Sequence, residues 1–252
     1  MRPTKGTRSC CFAISVSLRN SACFFVAAAL LVLAPDAASQ TVPAIPSVEG
    51  PITAPEPMYP GLRPLTPGTE PADYGYVTEE FFVSGTTLIA AGVAQDYTTR
   101  ILVRSPKNPK RFSGIVVAEV MHSNGFAVTF EPSRHSFLLR GHVHVEIAGQ
   151  QGNVNGTVKP FNPERYAPLA IASGAQTSQI VAQVGALLKS NLRGGLLDPL
   201  RVRHVLLMGT SQSSGVLRTY QSQQHFQARM PDGSTREQTI DVSANRATVV
   251  FE

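Results

Sequence analysis

The stretch Val205–Gly215, with the sequence VLLMGTSQSSG, constrains the fold of this chain more than any other. The apolar run at its start predicts a buried strand, and a helix is predicted to begin near Ser214. Between them lies a tight turn centred on Ser211, with small residues, Gly209 and Ser213, two positions away on each side. Small residues at these positions avoid steric conflict across such a turn. The stretch therefore predicts a strand, a turn that presents a serine, and a helix.

This arrangement is typical of a nucleophile elbow, in which the turn lifts the serine hydroxyl above the edge of a sheet. The pattern here is G-x-S-x-S, a relaxed form of G-x-S-x-G. The N-terminus of the following helix would offer free N–H groups and a positive dipole end to a developing oxyanion. An ordinary strand–helix junction with a serine-rich N-cap is the alternative interpretation.

Residues 1–39 have the pattern of a secretory signal peptide, with basic residues before an apolar run, Ala22–Ala34, and small residues before Gln40. The apolar run is short for a bilayer crossing, although an uncleaved anchor is the alternative. We therefore expect a secreted or periplasmic protein that has no stable membrane insertion once the signal is removed.

Cleavage at this point would remove all three cysteines, Cys10, Cys11 and Cys23. The mature chain would then have no disulfide, thiol nucleophile or cysteine metal site. Removal of the four basic residues and one acidic residue of this segment would lower the formal net charge from +5 to +2. No basic stripe indicates nucleic-acid binding. The sequence leaves the oligomeric state open.

Residues 40–75 are rich in proline, which excludes a regular helix or a central strand. They predict an extended arm that either wraps the following domain or links to it. The domain itself is expected over residues 76–252.

Strand and helix patterns alternate along this domain. Two β-rich runs predict an antiparallel pair, two apolar runs predict further strands, and a long helical pattern precedes the strand that leads to Ser211. The predicted strands are 76–83, 98–104, 114–121 and 141–147. One predicted helix ends within 137–140, and a second spans 163–190. The alternation favours an α/β fold with a mostly parallel sheet and flanking helices.

Several of these stretches are similar to one protein family. They are Tyr97–Pro106, Phe112–Glu119 and Gly209–Tyr220, with shorter strings at Val48–Ile52 and Phe82–Thr86. Together they resemble the alpha/beta hydrolase domain group of secreted bacterial serine esterases. The likeness runs from about residue 45 to about residue 235. It implies an α/β-hydrolase fold, Ser211 as the nucleophile and acyl transfer on an ester-like bond.

In such a mechanism, Ser211 attacks the carbonyl of a small-molecule ester after losing its proton to a histidine. The N–H of Gln212 would be the first oxyanion donor, and Ser123, Asn124 or Gly125 would provide the second. The Asn-Gly pair is equally typical of a plain turn. No cofactor is expected.

The catalytic base is difficult to find, because these folds place the acid and then the histidine after the serine. Only 41 residues follow Ser211, and His225 is the one histidine among them. His225 lies about 14 residues along the predicted helix, roughly 20 Å away, which is too far for a base. His204 lies at the other end of the strand. His122 follows the carboxyl end of a strand, so it is a candidate for a substitute base or for shaping the oxyanion loop.

The other titratable residues are predicted to be structural. Asp241 follows the serine too early to be the acid, and Asp232-Gly233 is typical of a turn. Glu119 lies within a strand, and His144 and Glu146 share one strand face as a polar pair rather than as metal ligands. His135 lies in a segment that the sequence does not place, so it is given no role. His142 begins its strand and is therefore expected at the sheet edge away from Ser211. No metal site is expected.

We therefore expect a truncated hydrolase that lacks its C-terminal strands, ends at Val249–Glu252, and is weakly active or inactive as this chain. Two alternatives stay open. One is a non-catalytic, hydrolase-like binding protein that uses the cleft above the elbow. The other is a fragment whose exposed sheet edge prevents stable folding.

Overall fold

The structure, a computed structural model, describes residues 43–89, 92–191, 194–225, 240–241 and 246–251. All of them belong to the unit Ala38–Glu252. The expected signal peptide at 1–39 and the expected turn at Asp232-Gly233 lie outside the described residues.

The described strands pair into one mixed sheet in the order β1-β2-β3-β5-β4-β6-β8-β7. In chain order they are β1 (Ser47–Glu49), β2 (Tyr76–Ile89), β3 (Val93–Pro106), β4 (Ile115–Val120), β5 (Val143–Ile147), β6 (His204–Thr210), β7 (Ile240–Asp241) and β8 (Arg246–Phe251). Strand β4 pairs in parallel with both β5 and β6, and the outer pairs are antiparallel. The α/β-hydrolase-like fold with a parallel centre and flanking helices is confirmed.

Helices connect and cover these strands. They are α1 (Phe130–Leu139), α2 (Gln151–Asn153), α3 (Lys159–Phe161), α4 (Thr177–Lys189) and α5 (Gln212–Tyr220). A π-helical segment, Val154–Val158, joins α2 to α3, and a second, Gln221–His225, continues α5. Short 3-10 turns occupy Pro71–Tyr74, Pro109–Arg111 and Gly174–Gln176. In the ranges described above, no helix has the length and apolar character needed to cross a membrane.

The predicted antiparallel pair is confirmed as β2 and β3, although both strands are longer than expected. The predicted helix over 163–190 is wrong in its first half, because only Thr177–Lys189 is α-helical. Pro168 cannot continue a helix. Two residues later Ala170 instead bridges to Thr98, with N···O distances of 2.9 and 2.8 Å. The sequence reasoning also missed the helical stretch after β5.

One face of the sheet is apolar. Alternate residues of the central strands, such as Ala118, Val145 and Leu207, are fully buried there. They form one core cluster with Val184 of α4 and Leu217 of α5. This packing fixes the two helices against the strands whose carboxyl ends carry the candidate site.

The opposite face of the central strands carries several buried charges. Arg100 of β3 forms ion pairs with Glu80 of β2 and Glu146 of β5, and all three side chains are fully buried. Arg104 Nη2 lies 3.4 Å from Glu146 Oε2, and Nη1 lies 3.0 Å from Nδ1 of His144. Because each buried charge has an opposite charge beside it, the network offsets part of the cost of desolvation.

Part of the proline-rich arm lies over this charged face. Arg100 Nη2 donates to the carbonyl of Tyr59 at 2.5 Å, and Arg104 Nη2 donates to that of Pro60 at 3.3 Å. Gly61 follows with φ of 66°, and a Cβ atom there would collide with the carboxylate of Glu146. The arm therefore contacts the sheet through its backbone, at a point where only glycine fits.

Candidate active site

The strand–turn–helix predicted around Ser211 is present. Strand β6 ends at Thr210, α5 begins at Gln212, and Ser211 between them has φ of 56° and ψ of −118°. A positive φ is uncommon for a residue with a side chain and costs on the order of 1–3 kcal/mol. Ser211 is exposed, so this backbone presents its hydroxyl to solvent.

The small residues on both sides of the turn are required by packing. A Cβ atom on Gly209 would lie 2.9 Å from Leu217 Cδ1 and 2.9 Å from the carbonyl oxygen of Ser213. Ser213 is fully buried, and its Oγ has no hydrogen-bond partner within the described part of the chain. A larger side chain at either position would separate α5 from β6.

The polar atoms of the turn are only partly used. The carbonyl of Ser211 accepts from the N–H of Ser214 at 3.1 Å and from its Oγ at 2.6 Å. Within the described ranges, the N–H of Gln212 donates to no acceptor, and no side chain is hydrogen-bonded to the Ser211 hydroxyl. The turn therefore presents a serine hydroxyl beside a free backbone donor.

The parallel register brings a second loop beside this turn. Glu119 of β4 pairs with Met208 of β6, so His122 and Ser211 each lie three residues beyond a paired position. The carboxyl ends of parallel strands lie at one edge of a sheet, where ligands of such folds bind. His122 and the residues after it therefore flank Ser211.

Hydrogen bonds inside the loop after β4 use two of the three N–H groups that could provide the second oxyanion donor. The N–H of Gly125 donates to the His122 carbonyl at 2.8 Å, and that of Asn124 donates to His122 Nδ1 at 3.2 Å. Both are therefore engaged inside the turn that the Asn-Gly pair forms. Ser123 is exposed, and its N–H has no acceptor among the residues described. Of the three candidates, only Ser123 has an N–H free to bind a ligand.

Three side chains from elsewhere hold the carbonyl groups of this loop. Gln150 Nε2 donates to the Met121 carbonyl at 2.9 Å, and Asn153 Nδ2 donates to the His122 carbonyl at 2.8 Å. Tyr59 of the arm donates its hydroxyl to the Gly125 carbonyl at 2.9 Å. The loop is therefore anchored to both the arm and the helical stretch after β5.

A cleft of about 660 Å³ opens beside α5. Its described lining contains four glutamines, three hydroxyl side chains and small residues, and none of these residues is charged or aromatic. They are Gln150, Gln151, Gly152, Gly174, Ala175, Thr177, Ser178, Gln212, Gly215, Val216, Thr219 and Gln223. Ser211 is not part of this lining, but its neighbour Gln212 is, so the cleft begins next to the candidate nucleophile.

Most described histidines lie away from Ser211. His204 begins β6, and His142 precedes β5 with its Nδ1 2.7 Å from Ser113 Oγ, so both lie at the amino edge. His135 contacts the hydroxyl of Tyr74 at 2.8 Å. His225 ends the π-helical continuation of α5.

His122 is the described histidine that follows the carboxyl end of a parallel strand. Its Nδ1 accepts from the N–H of Asn124, which puts the ring hydrogen of the neutral side chain on Nε2. In this tautomer Nε2 is a donor and cannot take a proton from Ser211.

Glu119 supports the site without touching it. Its carboxylate accepts from the N–H groups of Thr129 and Phe130 at 2.7 and 2.9 Å, which caps the start of α1. Thr129 Oγ1 lies 2.7 Å from Oγ1 of Thr210, the residue before Ser211. Burial raises the pKa of Glu119 to about 7, against the lowering effect of these hydrogen bonds.

His144 contacts the same carboxylate from the charged face. Burial and the adjacent Arg104 lower the pKa of His144 well below its usual range. Because a guanidinium only donates, Nδ1 of His144 accepts from Arg104 and the ring hydrogen lies on Nε2, 3.3 Å from Glu119 Oε2. As expected from the sequence, His144 and Glu146 share a face, where Arg104 bridges them.

Sequence reasoning missed Gln150 and Asn153 as parts of the site. Both follow β5, whose carboxyl end lies at the same edge as those of β4 and β6. Polar residues directly after a buried strand were the available signal.

Comparison with known proteins agrees with this architecture. The family model described as "Alpha/beta hydrolase domain" matches residues 48–247. No curated protein and no solved structure matches the chain. With most of its length covered by that model, the chain belongs to the alpha/beta hydrolase domain family.

Proposed function

We propose that this protein is a serine hydrolase that acts on carboxylic-ester-like bonds, with Ser211 as the nucleophile. The observation that carries the proposal is the backbone conformation of Ser211. This residue lies between strand β6 and helix α5 and has φ of 56° and ψ of −118°. Strained residues of this kind cluster at functional sites, and a sharp strand-to-helix turn is how hydrolases of this fold expose a serine.

Two free backbone donors support acyl-transfer chemistry. The N–H groups of Gln212 and Ser123 have no acceptor in the described part of the chain and flank Ser211 from β6 and β4. In our proposal they bind the oxyanion that forms when Ser211 attacks the carbonyl. Donors of this type lower the barrier because they stabilise charge that develops only in the transition state.

The base that would activate Ser211 is assigned to no described residue. His122 has the right position at the sheet edge, but its hydrogen bond with the Asn124 N–H selects the tautomer that cannot accept a proton at Nε2. His122 therefore shapes the oxyanion loop in our proposal.

The cleft beside α5 supports a small-molecule ester as substrate. Its described lining is uncharged, so it provides no counter-ion for a carboxylate, phosphate or ammonium group. Burial of an unpaired charge is unfavourable. We therefore propose a neutral acyl or alcohol group in this cleft.

The signal-like residues 1–39 support the proposal that the protein is exported from the cytoplasm. N-terminal sequencing of the mature protein tests this proposal, and the mature chain should begin at Gln40.

Reaction with a fluorophosphonate probe tests the proposal directly. The purified protein should acquire the label on Ser211, located by peptide mass spectrometry, and should release nitrophenol from a neutral nitrophenyl ester. Ser211→Ala should abolish both signals. Equal labelling of the Ser211→Ala variant would rule out this nucleophile.

A non-catalytic hydrolase-like binding protein is the second candidate. It is favoured by the unassigned base together with an open cleft beside Gln212. This candidate predicts no labelling of Ser211 but saturable binding of neutral esters, with transfer of NMR saturation from the protein to the ligand.

A further inference from the structure

The peptide unit between His122 and Ser123 carries one of the two free donors beside Ser211. In a trans peptide the C=O and the N–H point in opposite directions. Whatever holds the His122 carbonyl therefore also sets the direction of the Ser123 N–H. The orientation of this single peptide decides whether the loop presents a donor or an acceptor to the site.

Two groups hold that carbonyl. The N–H of Gly125 donates to it at 2.8 Å, and Nδ2 of Asn153 donates to it at 2.8 Å. The Gly125 bond lies inside the loop and moves with it. Asn153 belongs to α2, which follows β5, so its hydrogen bond fixes the peptide relative to the sheet.

The amide of Asn153 is held in an otherwise unfavourable orientation. Its side chain is buried, with 1 % exposure, and its Oδ1 has no hydrogen-bond partner within the described ranges. Because a carbonyl only accepts, the amide nitrogen must face His122, which leaves the oxygen buried and unpaired. A leucine of similar shape would avoid that unpaired oxygen, so stability alone does not explain the asparagine.

We propose that Asn153 is a positioning residue that aims the Ser123 N–H at the oxyanion formed on attack by Ser211. This inference rests on the proposed function of Ser211. Without the Asn153 amide, only the Gly125 N–H inside the loop still holds the His122 carbonyl, so the peptide between His122 and Ser123 is less firmly fixed and can rotate. Rotation turns the His122 carbonyl toward the oxyanion, which it repels.

Substitution of Asn153 in the full chain tests this role. Asn153→Leu removes the donor with little change of shape, and Asn153→Asp places an oxygen against the His122 carbonyl. Asn155→Leu is the matched control, because Asn155 lies two residues further along, is exposed, and donates to the Ile171 carbonyl at 3.5 Å. The readouts are the rate of fluorophosphonate labelling at Ser211, kcat and KM for a nitrophenyl ester, and the melting temperature.

Loss of an oxyanion donor typically lowers kcat by about 10²- to 10³-fold, so we expect a mis-aimed donor to lower kcat and labelling by at least about tenfold. The KM should stay unchanged, and Asn153→Leu should melt no lower than Asn155→Leu. Asn153→Asp should lose at least as much activity as Asn153→Leu.

Three results would overturn the inference. Labelling of Asn153→Leu at the rate of Asn155→Leu would show that the amide does not aim the donor. A parallel fall of rate and melting temperature would show a structural role instead. A wild-type chain that does not label at Ser211 would overturn the proposed function itself, and this inference with it. Labelling of wild type therefore distinguishes a failure of the proposed function from a failure of the role of Asn153.

Discussion

Gln212, the residue after Ser211, exchanges side-chain hydrogen bonds with Gln150. Nε2 of Gln212 lies 2.6 Å from Oε1 of Gln150, and Nε2 of Gln150 lies 3.2 Å from Oε1 of Gln212. The same Gln150 nitrogen donates to the Met121 carbonyl at 2.9 Å. One amide after β5 therefore joins the carboxyl ends of β4 and β6, the two elements that carry the candidate oxyanion donors.

A double-mutant cycle tests this pair. Gln150→Leu and Gln212→Leu should each lower the free energy of unfolding, and the double variant should lose less than the sum of the two. Residues in direct contact couple by about 0.5–3 kcal/mol. The measurement is chemical denaturation of all four proteins, and additive effects would show that the two amides act independently.

Gly209→Ala should destabilise the fold. The new Cβ would lie 2.9 Å from Leu217 Cδ1 and 2.9 Å from the Ser213 carbonyl oxygen, so α5 must shift away from β6. Overpacking of this kind costs about 1–3 kcal/mol. Gly215→Ala is the control, because no atom of the described residues lies within 4 Å of its Cβ position. Because Gly215 lies within helix α5, Gly215→Ala should raise the free energy of unfolding by up to about 1 kcal/mol, as measured by thermal melting. Equal melting temperatures of the two variants would contradict the argument.

Gly215→Leu should fill the cleft without disturbing the fold. Gly215 lines the cleft, and its Cβ position is open. We expect a higher KM for neutral esters, since the side chain would occupy the part of the cleft in which we propose that the substrate binds. Gly156→Leu is the matched control, because its Cβ position is also open and it does not line the cleft. Steady-state kinetics of both variants checks this, and an unchanged KM in Gly215→Leu would exclude the cleft as the substrate site.

Glu119 should make stability depend on pH. Its pKa rises from an ordinary value of 4.5 to about 7 on folding, so the folded state holds the proton more tightly. Its stabilising contribution is then full below pH 4.5 and is lost as the pH rises through about 7. Relative to Glu119→Gln, wild type should lose on the order of 3 kcal/mol across this window.

Denaturation of both proteins at intervals between pH 4 and 8 measures this difference. Glu164→Gln, which makes the same substitution at an exposed carboxylate, is the control. Parallel stability curves for wild type and Glu119→Gln would argue against a raised pKa.

Arg100→Met should be strongly destabilising. The substitution removes one of two arginine partners from each of two buried carboxylates, so Glu80 keeps only Arg165 and Glu146 keeps only Arg104. Removing one member of a buried ion pair typically costs 3–5 kcal/mol. Arg63→Met breaks a pair in which the arginine is 60 % exposed and Glu131 is 7 % exposed. The Arg63 N–H still donates to this carboxylate at 2.7 Å, so the variant should lose less than Arg100→Met, about 1 kcal/mol. Similar losses of unfolding free energy in the two variants would contradict the role assigned to the buried network.

Local sequence patterns predicted the secondary structure correctly wherever neighbouring residues determine the backbone conformation. The apolar run before Gly209 must be a strand, because it is too short for a helix and is bounded by a small-residue turn. The hairpin of β2 and β3 followed from its β-rich runs. Over 163–190 the apolar spacing predicts one long helix, but Pro168 interrupts it and the α-helix begins only at Thr177.

The amino-acid sequence by itself determined the strand, the turn at Ser211 and the helix that follows, because short-range sterics and hydrophobic periodicity act over a few residues. Only the tertiary structure decided which groups surround that serine. The parallel register of β4 and β6 brought the loop after His122 to it, and Gln150 and Asn153 reached this loop from beyond β5. Such contacts join residues far apart in the chain, and their geometry depends on the packing of the whole sheet.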